Sequence, residues 1–152
     1  MSNTRDTSRT SQPVRAAATA VGAVFVLVGI LGFVPGITSN FDQLSFAGHH
    51  SEAELLGIFQ VSVRHNIVHL LFGVAGLAMA RDARSATAYL VGGGVIYLVL
   101  WLYGLVIDKT SAANFVPVNR ADDWLHLVLG LGMLALGLVL GPRSRTAGTV
   151  AR

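Results

Sequence analysis

Four long apolar runs, separated by short polar stretches, organise this chain. The first covers residues 14–34 and stops at Pro35-Gly36, a pair that ends helices. The second covers 52–80. It opens on Ser51-Glu52-Ala53-Glu54, which reads as a capping box with Ser51 as N-cap. A helix of that length rises about 43 Å, more than the roughly 30 Å hydrocarbon core, so its first turns are expected to project from the membrane. The third run covers 87–107 and holds Gly92-Gly93-Gly94, which weakens a soluble helix but lets helices approach closely in lipid. The fourth covers 123–140 and stops at Gly141-Pro142.

Three of these runs reach or approach the ~18 apolar residues that mark a membrane span. The second joins them once its internal polar residues are explained. The pattern predicts an all-α, polytopic membrane protein: a four-transmembrane-helix bundle over residues 14–141. Polar residues 1–13 and 142–152 bury too little apolar surface to order themselves and are expected to be disordered tails.

Composition agrees. The chain is 53% hydrophobic and 12% charged, about half the charged fraction of a soluble domain. It has no cysteine, which removes disulfide and thiolate chemistry. The net charge of +3 does not point to nucleic acid, because the positive residues flank the apolar runs, where they orient helices and meet anionic lipid. Arg5, Arg9 and Arg15 ahead of the first run resemble a signal peptide. The run is longer than such a segment, however, and no small-x-small cleavage site follows, so it is read as a retained helix.

Orientation follows from the arginines. The two tails and the turn after the second run hold eight of the eleven Lys and Arg residues. The positive-inside rule then places both termini in the cytoplasm of a plasma-membrane protein, with the two longer loops outside. Tyr97, Trp101 and Tyr103 sit in the outer half of the third run, where Trp101 and Tyr103 are interface anchors.

The second and fourth runs resemble each other. His69-Leu70-Leu71-Phe72-Gly73 aligns with His126-Leu127-Val128-Leu129-Gly130, which sets Asn66 opposite Asp123 and His65 opposite Asp122. The reading is a tandem helical hairpin with a pseudo-axis along the membrane normal. Chance produces short Leu/Gly-rich matches too. If the repeat holds, His69 and His126 lie at similar depth and face each other across the bundle.

Arg64, His65, Asn66, His69, Asp122, Asp123 and His126 form the polar cluster this predicts in the outer half of the bundle. A structural reading pairs Arg64 with Asp122, Asp123 or Asp42 and uses the histidines and Asn66 for interhelical hydrogen bonds, each contributing about 0.6 kcal/mol. A ligand reading takes His65 and His69 at i and i+4, with His126, as candidate ligands for a transition metal, or His69 and His126 as axial ligands of haem b. A transport reading takes the titratable groups as a proton or solute path in a small oligomeric channel. His49 and His50 read as surface histidines. No nucleophile elbow, P-loop or paired-carboxylate motif is present.

The stretches P-G-I-T-S-N-F-D-Q-L-S-F-A-G-H (35–49), L-L-G-I-F-Q-V-S-V-R-H-N-I-V-H-L-L-F-G (55–73) and A-N-F-V-P-V-N-R-A-D-D-W-L-H (113–126) resemble domain-of-unknown-function family 4383, a family of actinobacterial membrane proteins. The resemblance covers roughly residues 14–141. It implies four inner-membrane helices and draws attention to His65, Asn66, His69, Asp123, Trp124 and His126, without implying an activity. The expectation is a non-enzymatic structural or accessory membrane component without a cofactor. Membrane lipid is its surroundings, and a second copy or another membrane protein its partner.

Overall fold

The computed structural model of the chain describes residues 4–142. Four helices form where the apolar runs predict them: α1 Thr4–Leu31, α2 Val63–Met79, α3 Ala83–Val106 and α4 Arg120–Leu140. Gln12–Leu31, Ala83–Val106 and Arg120–Leu140 are long and apolar enough to cross a membrane. α2 has only 17 residues, a rise of about 26 Å. Large apolar side chains such as Leu27, Leu71, Val74, Val99, Val128 and Leu138 are exposed around the bundle, as suits a lipid-facing surface.

Two boundaries differ from the pattern. α1 starts at Thr4, not near residue 14, so residues 4–13 are helical where a disordered tail is expected. Extending an existing helix costs far less than nucleating one, so a polar stretch continues the apolar span even across Pro13. The second expected tail, beyond Pro142, lies outside the described residues.

The larger correction concerns residues 52–62. They are not the start of a helix, and Ser51-Glu54 is not a capping box. Thr38–Ser39 (β1), Glu54–Leu55 (β2) and Phe59–Gln60 (β3) form an antiparallel sheet in that order. The β2–β3 turn has Leu56 at φ 57° and Gly57 at φ 67°, the left-handed pair that suits a tight hairpin. Ala53, Leu55 and Val61 alternate inward onto Val28, Leu31 and Ile37, giving this cap its own small core. Ser51 is buried at its centre, donating to the Val61 carbonyl at 2.5 Å and accepting from Ser45 N–H at 3.3 Å. α2 is capped by Ser62 instead, whose Oγ accepts from His65 N–H at 3.2 Å.

The helices pack as two antiparallel hairpins, α1 with α2 and α3 with α4, and the same contact is made in both. A Cβ added at Gly22 would lie 2.9 Å from the Gly73 carbonyl oxygen and 2.9 Å from Leu77 N. One added at Gly94 would lie 2.9 Å from the Gly130 oxygen and 2.9 Å from Leu134 N. Gly130 and Leu134 each lie 57 residues after Gly73 and Leu77, and Gly94 lies 72 after Gly22. That register recurs along the helices. Gly32 is covered by Asn66, and Gly104 by Asp123. The N-caps Ser62 and Asn119 accept from His65 N–H and Asp122 N–H respectively. Phe25 and Tyr97, also equivalent, meet at the centre with ring centroids 5.3 Å apart. The chain is therefore two copies of one helical hairpin about a pseudo-two-fold axis running along the helices.

At the opposite end, Asp82 caps α3, accepting from Arg84 N–H and from Ser85 N–H and Oγ. These donors hold its carboxyl below the usual aspartate range, the Ser85 N–H contributing most. A carboxyl depressed in the folded state stabilises above its unfolded pKa, and that stability disappears as pH falls through the folded value. Asp82→Ala should accordingly lower unfolding stability at neutral pH and lose its effect in strong acid, as read by unfolding titrations at both pH values.

Leucine at Gly73 or at Gly130 should destabilise the bundle by about 1–3 kcal/mol or more through overpacking. Leucine at Gly92 or Gly132, where a side chain meets open space, should cost no more than about 0.5 kcal/mol. Reversible unfolding in mixed micelles measures both pairs. Equal effects at the two kinds of site would contradict the packing described.

Candidate functional site

Each hairpin places a histidine one turn beyond its packing glycine, His69 before Gly73 and His126 before Gly130. The glycine brings the facing helix close, so each imidazole meets the same aromatic position. His69 lies edge-on to Phe25 with centroids 5.4 Å apart, and His126 lies 5.3 Å from Tyr97. Both histidines are buried, and the Nδ1 of each has no hydrogen-bond partner among the described residues. His65 lies against His69 with centroids 4.4 Å apart and the rings tilted by 46°. His65, His69 and His126 line one cavity of about 250 Å³, together with Tyr97 and Arg64. The repeat thus brings the three predicted histidines together. They are not arranged as a metal centre: among the described residues no three His, Asp or Glu side chains are grouped to hold an ion.

The acidic members of the cluster are engaged elsewhere. Asp122 is buried and binds the first-loop cap to α4, accepting from Gln60 N–H at 3.1 Å and from Asn119 N–H at 2.9 Å. Asn119 completes the tie by donating from Nδ2 to the Ile58 carbonyl at 2.7 Å, while its Oδ1 accepts from Asp122 N–H. Asp123 pairs with Lys109, whose Nζ lies 2.8 and 2.7 Å from its two carboxylate oxygens and 2.7 Å from the Gly104 carbonyl. Asn66 occupies the equivalent position in the first half, buried and neutral.

Among the described residues Arg64 does not pair with an aspartate. It donates to the Phe115 carbonyl and sits 5.7 Å from the centroid of the Phe115 ring. The expected ion pair fails because Asp123 already has Lys109 and Asp122 points at the cap. Asp42 lies in the exposed 3₁₀ turn Phe41–Gln43 of the first loop. Lys109 and Asn119 belong to the observed cluster but not to the predicted one. Lys109 was the visible signal, as one of only two cations in the arginine-poor loops. In the second loop Asp108 accepts from Thr110 N–H and Oγ1, donors that hold its carboxyl below the usual range.

A second pocket of about 630 Å³ lies where Trp101 and Trp124 flank Lys109, Arg120 and Asp123. Indole rings suit the membrane–water interface, where their amphipathic rings sit at headgroup level.

The family model described as Domain of unknown function (DUF4383) matches residues 15–139. The chain belongs to that family. The match takes in both hairpins and the polar cluster, so the DUF4383 domain is here the whole repeated bundle with its cap. No curated protein and no solved structure matches the chain.

Asp123→Ala should destabilise the bundle by about 1–3 kcal/mol, since it strands a mostly buried ammonium. The double variant Lys109→Met with Asp123→Asn, which copies the neutral first half, should recover most of that loss. A double-mutant cycle in mixed micelles measures the coupling, and additive effects would show that the pair contributes nothing.

Proposed function

We propose that this DUF4383 protein is a non-enzymatic, multi-pass component of the cell's inner membrane, with both termini in the cytoplasm. Its outer polar cluster ties the helix ends to a structured cap and so shapes an outer surface for a partner in the membrane, a second copy or another protein. The observation that carries this reading is that the charged side chains of the cluster are committed to architecture. Asp122 binds the cap hairpin, Asp123 binds Lys109 and Arg64 binds the Phe115 carbonyl. Among the described residues no carboxylate is within ion-pair distance of an imidazole, the one ion pair being Lys109 with Asp123. Gly92 and Gly132, exposed with open space around them, are the small positions left over for another helix.

The test has two arms. Asp122→Ala should expose residues 37–60 to proteolysis in vesicles while the protein stays in the membrane. The purified protein should show no Soret band and no stoichiometric metal. A haem spectrum, or one transition metal per chain, would replace this reading with a redox or sensory one. Orientation is checked with single cysteines. One at Ser111 should react with an impermeant maleimide on intact cells, and one at Arg81 only after lysis.

A further inference from the structure

The two hairpins differ in one respect that their repeat does not account for. The offset of 72 residues between α1 and α3 exceeds the 57 between α2 and α4, so the first outer loop is fifteen residues longer than the second. That extra length includes the β2–β3 hairpin. It covers the seam between α1 and α4, with Gln60 N–H on Asp122 and Asn119 Nδ2 on the Ile58 carbonyl. The equivalent seam between α2 and α3 lies under Val116 and Pro117 of the shorter second loop, with no hairpin over it among the described residues, and there the cavity of about 250 Å³ opens. His65, His69, Tyr97 and His126 form its interior wall, and Val68 and Ile96 stand at its edge. Those two are 53% and 52% exposed, on the face that meets lipid. His69 and His126 are only 8% and 2% exposed, and the Nδ1 of each is buried without a partner among the described residues.

We infer that this cavity binds the headgroup of a lipid-borne quinone, a role beyond the architectural one proposed above. The entrance lies between lipid-facing side chains, so the ligand arrives dissolved in the bilayer. The interior offers imidazoles, which donate to and accept from a neutral ligand, set among apolar walls and beside a tyrosine ring. Arg64 is the one permanently charged side chain among the lining residues, and it is engaged by the Phe115 carbonyl. A carboxylate or phosphate headgroup seated against the buried imidazoles would have Arg64, shared with the Phe115 carbonyl, as its single counter-charge. A flat ring with carbonyl oxygens needs none, and its two carbonyls match imidazoles presented from two helices. The volume is just below the roughly 300–1,000 Å³ of pockets for drug-sized ligands, enough for a headgroup whose isoprenoid tail stays in lipid.

The full chain in nanodiscs, titrated with a short-chain 1,4-naphthoquinone and a short-chain benzoquinone by equilibrium dialysis, tests this. Saturable binding of one quinone per chain is expected. His69→Phe and His126→Phe should each weaken it about tenfold, the loss of one hydrogen bond. Because either change alters the core, two lipid-facing variants guard the result. Ile96→Trp should block the entrance and abolish binding. Val24→Trp, at the repeat-equivalent and equally lipid-facing position of α1, should leave binding unchanged. No saturable binding by the wild-type chain, or equal affinity in the two tryptophan variants, would overturn the inference. So would displacement of the quinone by a fatty-acid carboxylate or by one zinc ion per chain.

Discussion

Lipid tails are as apolar as leucine, so helices inside a bilayer gain little by hiding greasy side chains from their surroundings. They are held by how closely their backbones can meet. In this chain that approach is made at Gly22 with Gly73 and at Gly94 with Gly130, where even a methyl group would collide with the facing main chain. Much of the rest is positioned by it. Each histidine sits one helical turn from a packing glycine, and the adjoining helix supplies the aromatic ring against which it rests. Phe25 and Tyr97 then close the centre between hairpins. A substitution at one of these glycines would therefore move the cluster as well as loosen the bundle.

The equivalent slots are filled differently in the two halves, and the differences run in one direction. The first half has Asn66 and His65, and the second has Asp123 and Asp122. Where the second half carries a carboxylate it also supplies the means of tolerating it. Lys109 neutralises Asp123, and backbone donors from the cap and from Asn119 hold Asp122. The first half stays neutral beside its packing glycine and spends its extra length on a small sheet. Charge and cover are thus divided between copies of one scaffold, so that a hairpin closes one seam and a shorter loop lies over the other, where the cavity is.

Much of this could be read from the sequence. Hydropathy fixes the helices, because a run of apolar residues in a bilayer must close its own backbone hydrogen bonds. The match between H-L-L-F-G and H-L-V-L-G reveals half of the repeat. The other half, Gly22 with Gly94 and Gly32 with Gly104, is hidden because the longer first loop changes the offset between the copies. The cap was misread for a local reason. Ser51-Glu52-Ala53-Glu54 satisfies the helix-start pattern, while the alternation of Ala53 and Leu55 and the turn at Leu56-Gly57 satisfy the hairpin pattern. The tertiary contacts of Ala53, Leu55 and Val61 with α1 decide between them. The partner of Arg64 was misjudged because opposite charge alone does not reveal which carboxylates are already occupied.

The short second helix also bears on the membrane around it. Ending the helix at Ser62 and continuing as strands leaves α2 with about 26 Å of rise against a hydrocarbon slab of about 30 Å. Its neighbours are longer, so the mismatch falls on one side of the molecule only. There the acyl chains must compress or the bundle must lean, at a fraction of a kcal/mol for each ångström. A thinner bilayer removes that penalty, so lipid thickness alone can bias where the protein settles.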